Sequence, residues 1–325
     1  MISLGGVTMR TRTNICFGVG YDGFIKHLKS YYGAGNINVI YSDLGRAERL
    51  CTELTKADYG IDMMHFGALN MRKKGFVIGI GDENAILAAV KNADNKFALY
   101  PDVVIPESFA SKFGSVAEFN YFDERFCIDN QSFAMECYAG LFCAFTDALA
   151  VYYRELNEPY SDKGLRGALV AALKILVGGS DREEFVKETL RSAKCLSELI
   201  CERGEGAFVA SEMAYRMGGG TKNRLFCAYF LNRLLILFTK WNFRDMLIPT
   251  ENSYNDGIGT MLNEGDLLLD GESMKIIANK IKFRIAEPDL GKLVEAMRLS
   301  VGADSLFTEI YERGIPEGLT GYGKT

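Results

Sequence analysis

A chain of 325 residues is longer than a single hydrophobic core ordinarily grows, so two domains are expected. With 48% hydrophobic and 24% charged residues it can fold throughout, which leaves little room for a long disordered tail. The 37 basic and 42 acidic residues give a net charge of −5 with no basic run longer than Arg72-Lys73-Lys74, which argues against a nucleic-acid partner.

The opening residues Met1 to Gly6 lack the layout of a secretion signal, so the chain is expected in the cytoplasm. The apolar run Leu225 to Phe238 carries Asn232 and Arg233 and is too short to span a bilayer; a buried helix is expected there and no membrane partner. Eight cysteines, at 16, 51, 127, 137, 143, 195, 201 and 227, include no Cys-x-x-Cys pair, which predicts reduced, buried thiols and no metal clip.

Asn14 to Phe17 is a short apolar run ending in Gly18-Val19-Gly20, after which Phe24, Ile25, Leu28 and Tyr32 fall at helical spacing: strand, glycine turn, helix. Asn38 to Asp43 is a β-branched strand ending in a carboxylate, with a helical stretch from Ala47 to Leu54 behind it. Lys74 to Asp82 is again a strand running into glycines, followed by a helix from Glu83 to Val90, and Phe97–Tyr100 and Val103–Pro106 read as two further strands. Strands alternating with helices of this length make parallel βαβ units, so residues 1–130 are expected to be an α/β, doubly wound, Rossmann-like nucleotide-binding domain.

Beyond residue 130 the alternation stops. Helices are expected over 133–156, 163–177, 183–203, 206–217, 225–241, 273–283 and 290–300, so residues 131–325 form an all-α domain. His27 is expected at a helix surface and His65 as a satisfied, buried imidazole.

Four segments in fixed order carry a resemblance: Phe17-Gly18-Val19-Gly20, Gly79-Ile80-Gly81, Val104-Ile105-Pro106-Glu107-Ser108 and Phe145-Thr146-Asp147-Ala148-Leu149-Ala150. Together they resemble the superfamily of iron-containing alcohol dehydrogenases, glycerol dehydrogenase, sn-glycerol-1-phosphate dehydrogenase and dehydroquinate synthase. The resemblance implies a dehydroquinate synthase-like fold, a dinucleotide cofactor, a homo-oligomer and a small-molecule ligand: a polyol, sugar phosphate or nucleotide. It assigns Gly18, Gly20, Asp43, Gly79, Gly81 and Ser108 to the cofactor and Asp147 to the metal or substrate site. Glycine turns let backbone N–H groups approach a pyrophosphate, and a carboxylate ending the second strand can accept ribose hydroxyls, which favours NAD over NADP. The alternatives are a tight turn without a ligand and, for Asp43, a helix cap.

The departures are as informative. The family's middle loop glycine is Ile80, its following aspartate and lysine fall at Ala85 and Ala88, and its threonine after proline is Glu107, a carboxylate that would repel a pyrophosphate. The helix that supplies metal-binding histidines in the glycerol-1-phosphate branch matches Ala210-Ser211-Glu212-Met213-Ala214-Tyr215-Arg216-Met217, with methionine at both histidine positions. A thioether suits copper(I) rather than zinc or iron(II), so neither Zn nor Fe is expected; Asp147 with Glu212 would hold magnesium or calcium only poorly. Lys222 and Arg224 with Arg216 could line a basic pocket for a phosphate or carboxylate, or lie in a solvated loop.

Two functions follow. One is an NAD-linked, glycerol (phosphate) dehydrogenase-like oxidoreductase without the usual metal, in which Asp147 orients substrate and Lys222 or Tyr215 donates the proton. The other is a non-catalytic homologue that binds a nucleotide or regulates a partner. A dehydroquinate synthase-like cyclase is a further alternative.

Overall fold

The structure is a computed structural model, which describes residues 13–69, 75–93, 97–114, 117–123, 127, 132–155, 163–178, 181–201 and 209–232, with 276–277 and 295–296. The chain divides into two compact units, residues 1–137 with 182–194, and residues 138–181 with 195–325.

The first unit is built on a six-stranded sheet: β1 (Asn14–Phe17), β2 (Asn36–Tyr41), β3 (Gly60–His65), β4 (Phe76–Gly81), β5 (Phe97–Pro101) and β6 (Phe119–Phe122). The spatial order is β1-β6-β5-β4-β2-β3, and every neighbouring pair is parallel. Between the strands run α1 (Tyr21–Tyr31), α2 (Leu44–Lys56), α3 (Glu83–Asn92) and the short α4 (Glu107–Ala110).

Strand alternation sorts the side chains onto two faces. Ile37, Val39, Phe76, Ile78, Ile80, Ala98, Tyr100 and Tyr121 pack against Phe24 and Leu28 of α1 and Ala47, Leu50 and Leu54 of α2. Ile40, Val77, Phe97 and Leu99 pack against Ile86, Ala89 and Val90 of α3 on the opposite face. A sheet covered on both sides needs strands that are apolar throughout, and all six residues of β4 are buried. Truncating a buried helix side chain packed on this sheet, Leu50→Ala of α2 for instance, costs about 2–5 kcal/mol.

The doubly wound reading is therefore right, with two local corrections. Val103 to Pro106 is not a strand: the chain turns at Asp102, whose N–H donates to the Gly81 carbonyl, and Pro106 opens α4 by accepting from Phe109 and Ala110. Two strands lacked a sequence signal. The edge strand β3 is Gly-Ile-Asp-Met-Met-His, half of it exposed and without alternation, and β6 is only four residues long.

The second unit is helical in its described residues. It contains most of α5 (Phe133–Glu155), α6 (Lys163–Val177), the end of α7 (Arg182–Cys201), α8 (Val209–Arg216) and α9 over residues 220–232. The start of α7 belongs to the first unit, where Lys187 lies 5.2 Å over the Phe17 ring. Helices expected around 273–283 and 290–300 lie outside the described residues apart from two helical residues in each. Among the described residues, the stretch long and apolar enough to cross a membrane by composition is Phe133–Tyr152 of α5, and 83% of its most apolar window is buried in the protein, as in a core helix. The sequence placed the strongest apolar run later, at Leu225.

All eight cysteines are free; Cys127, Cys137, Cys143 and Cys227 are buried, while Cys195 is exposed. His27 is half-buried rather than on the surface, with Nδ1 3.0 Å from the Tyr121 hydroxyl and its ring stacked on Phe119. His65 is exposed rather than buried, and its Nδ1 accepts from the Gly67 N–H at 3.2 Å.

Candidate functional site

β2 and β4 are neighbours, yet the helices that follow them lie on opposite faces of the sheet. Such a switch point opens a crevice at the carboxyl ends of the strands, where ligands of doubly wound folds bind. The structure brings Gly18, Gly20, Asp43 and Gly81 to this edge.

Gly18 takes φ +72° and its N–H donates to the Phe122 carbonyl at 3.1 Å, which ends β1 and turns the chain into α1. Gly20 is the N-cap of α1, offers no side-chain cap, and has nothing within 4 Å of where a Cβ would stand. Gly81 takes φ +118°, and a Cβ there would lie 2.1 Å from Ser42 Oγ. Its place over the end of β4 is thus already filled by a hydroxyl.

Two helix starts at the crevice are closed by carboxylates. Asp43 accepts the Arg46 N–H at 3.1 Å and caps α2; Asp82 accepts the Ala85 N–H at 3.1 Å and caps α3. For Asp43 the cap alternative is therefore realised. At α3, where the resemblance would seat a pyrophosphate, the Asp82 carboxylate holds the anion's position and the Asp82 N–H is taken by Ser42 Oγ. This turn does not fit a dinucleotide's phosphates as it stands.

Gly79, expected at the cofactor, lies apart from the strand end. It is an interior residue of β4 on the α3 side, where a Cβ would stand 2.6 Å from the Ala89 Cβ and 2.9 Å from Leu99 Cδ2. It is glycine so that α3 can approach the sheet. Ser108 lies within α4.

Four adjacent strands, β6, β5, β4 and β2, are followed within two residues by Asp123, Asp102, Asp82 and Asp43. Arg46 reaches across them. It is 5% exposed, forms an ion pair through Nη1 with Asp102, and also feels Tyr21, Asp43 and Asp123. Burial pushes the Tyr21 hydroxyl pKa up, opposed by Arg49 and Arg46 and helped by Asp123 and Asp43. Sequence reading missed Arg46, although a signal existed: it precedes Leu50 and Leu54 at four-residue intervals, which puts an arginine on the buried stripe of α2.

In the helical unit, Asp147 on α5 is 1% exposed. Its Oδ1 accepts the Ala210 N–H at 2.7 Å and its Oδ2 accepts the Ser211 hydroxyl at 2.8 Å. It therefore anchors the first turn of α8, whose unsatisfied N–H groups favour a carboxylate. Of the other two residues expected with it, Tyr215 on α8 is 38% exposed and Lys222 on α9 is exposed, whereas Asp147 is buried.

The three basic residues expected to line a pocket sit in different surroundings. Arg216 is tied to the buried Glu212 at 2.6 Å, Arg224 is buried with its carbonyl accepting from Cys143 Sγ, and Lys222 faces solvent. Met213 is fully buried, and Met217 Sδ lies 3.5 Å from Cys227 Sγ. Burial and the charge of Asp147 push the Cys227 thiol far up, so it stays neutral. Among the described residues, no three of His, Cys, Asp and Glu are grouped to hold a metal ion. One carboxylate engaged at both oxygens, beside thioethers and a neutral thiol, does not fit zinc or iron(II).

The architecture has solved counterparts. An iron-containing alcohol dehydrogenase from Thermotoga maritima covers 93% of this chain and 97% of its own, with TM-score 0.59 and 11% identity. The fold is that of the iron-containing alcohol dehydrogenases. An iron-containing alcohol dehydrogenase from Corynebacterium glutamicum covers 98% and 99% at TM-score 0.57 and 13% identity. A sulfoacetaldehyde reductase from Bifidobacterium kashiwanohense, solved with NAD+, covers 89% and 90% at TM-score 0.54 and 13% identity. At these identities the likeness is one of fold. No protein-family model and no curated protein sequence matches the chain.

Proposed function

We propose that this chain is a non-catalytic homologue on a dehydrogenase fold, a binding or regulatory subunit that takes a small polar ligand and works without zinc or iron. The observation that carries this reading is the engagement of both Asp147 oxygens by the start of α8. A carboxylate that already accepts a buried donor at each oxygen inside a helix junction has part of its acceptor capacity committed to that junction, so a cation or substrate hydroxyl would have to compete with it. Self-association and a cytoplasmic setting go with this proposal.

The test is melting temperature with zinc, ferrous iron, magnesium and NADH, together with NADH-linked turnover of glycerol, glycerol phosphate and small aldehydes. A ligand that binds only the native state raises the melting temperature. No metal-dependent rise and no turnover are expected. Stoichiometric zinc or iron, or turnover that Asp147→Asn abolishes, would overturn the proposal.

A second reading is an NAD-linked oxidoreductase acting without the metal. It is favoured by Asp43, which follows β2 by two residues and uses Oδ1 for its cap, and by the NAD+ complex of the structurally similar sulfoacetaldehyde reductase. In that case NADH raises the melting temperature more than NADPH, and Asp43→Asn removes the difference.

A further inference from the structure

We draw no further inference here: the strongest candidate, the pair of sulfurs that Met217 and Cys227 bring together where α8 passes into α9, is a single cysteine in a thiol–thioether contact of 3.5 Å, and nothing else among the described residues points to an ion or ligand beside it.

Discussion

The hydroxyl of Ser42 accepts the backbone N–H of Asp82 at 2.8 Å, and this bond between residues forty positions apart joins the ends of β2 and β4 at the switch point of the sheet. It places Ser42 Oγ where any side chain at Gly81 would have to go. A crevice that in a doubly wound fold could stay open for a ligand is here partly occupied by the protein's own polar groups.

Gly81→Ala tests that relationship. The substitution meets both a left-handed φ of +118° and a contact of 2.1 Å, so it should destabilise the protein by about 2–4 kcal/mol in urea unfolding. A change below about 0.5 kcal/mol would mean that the turn relaxes freely and that Ser42 does not hold it.

Gly79 has a separate role that a paired substitution isolates. Gly79→Ala should cost about 1–3 kcal/mol because its new methyl meets Ala89 at 2.6 Å, and adding Ala89→Gly should restore part of the loss. If the two substitutions simply add, the close packing of α3 against β4 is not what requires glycine there.

Removal of the Asp147 carboxylate leaves the Ala210 N–H and the Ser211 hydroxyl buried without their acceptor. Asp147→Ala is expected to cost about 3 kcal/mol, and Asp147→Asn less, since its one carbonyl oxygen still accepts. Equal and small effects in thermal and urea unfolding would show that the start of α8 does not rely on this side chain.

High pH should weaken the fold through its buried thiols. Burial, with Asp123 adding to it and Arg46 opposing, pushes Cys127 from 9.0 up to about 12. The folded state then keeps its proton where the unfolded chain has lost it, so this contribution is complete below about pH 9 and is lost as pH rises toward 12. One such thiol can steepen the decline by at most about 1.4 kcal/mol per pH unit. Unfolding measured between pH 8 and 11 should fall less steeply in Cys127→Ala than in the wild type; parallel curves would refute the assignment.

Much of the fold was legible locally. The spacing of Phe24 and Leu28, the Gly18 and Gly81 turns, and the apolar runs of β2 and β4 mark their elements because period and turn chemistry act over a few residues. The helix boundaries at 133 and 163–177 followed from the same logic. β3 escaped because an edge strand need not alternate, and Val103–Pro106 misled because a buried loop can be as apolar as a strand.

Local pattern sets where the chain can be strand, helix or turn, and composition limits its imidazoles to His27 and His65, both within the first 130 residues. Only the tertiary structure decided what those residues do: that Gly79 makes room for Ala89, that Arg46 pairs with Asp102, and that Asp147 serves a helix sixty-odd residues away. The reason is one of range. Propensity and periodicity are written in neighbouring residues, whereas the occupant of a glycine's missing side chain, or the donor to a buried carboxylate, is chosen by segments that meet only when the core closes.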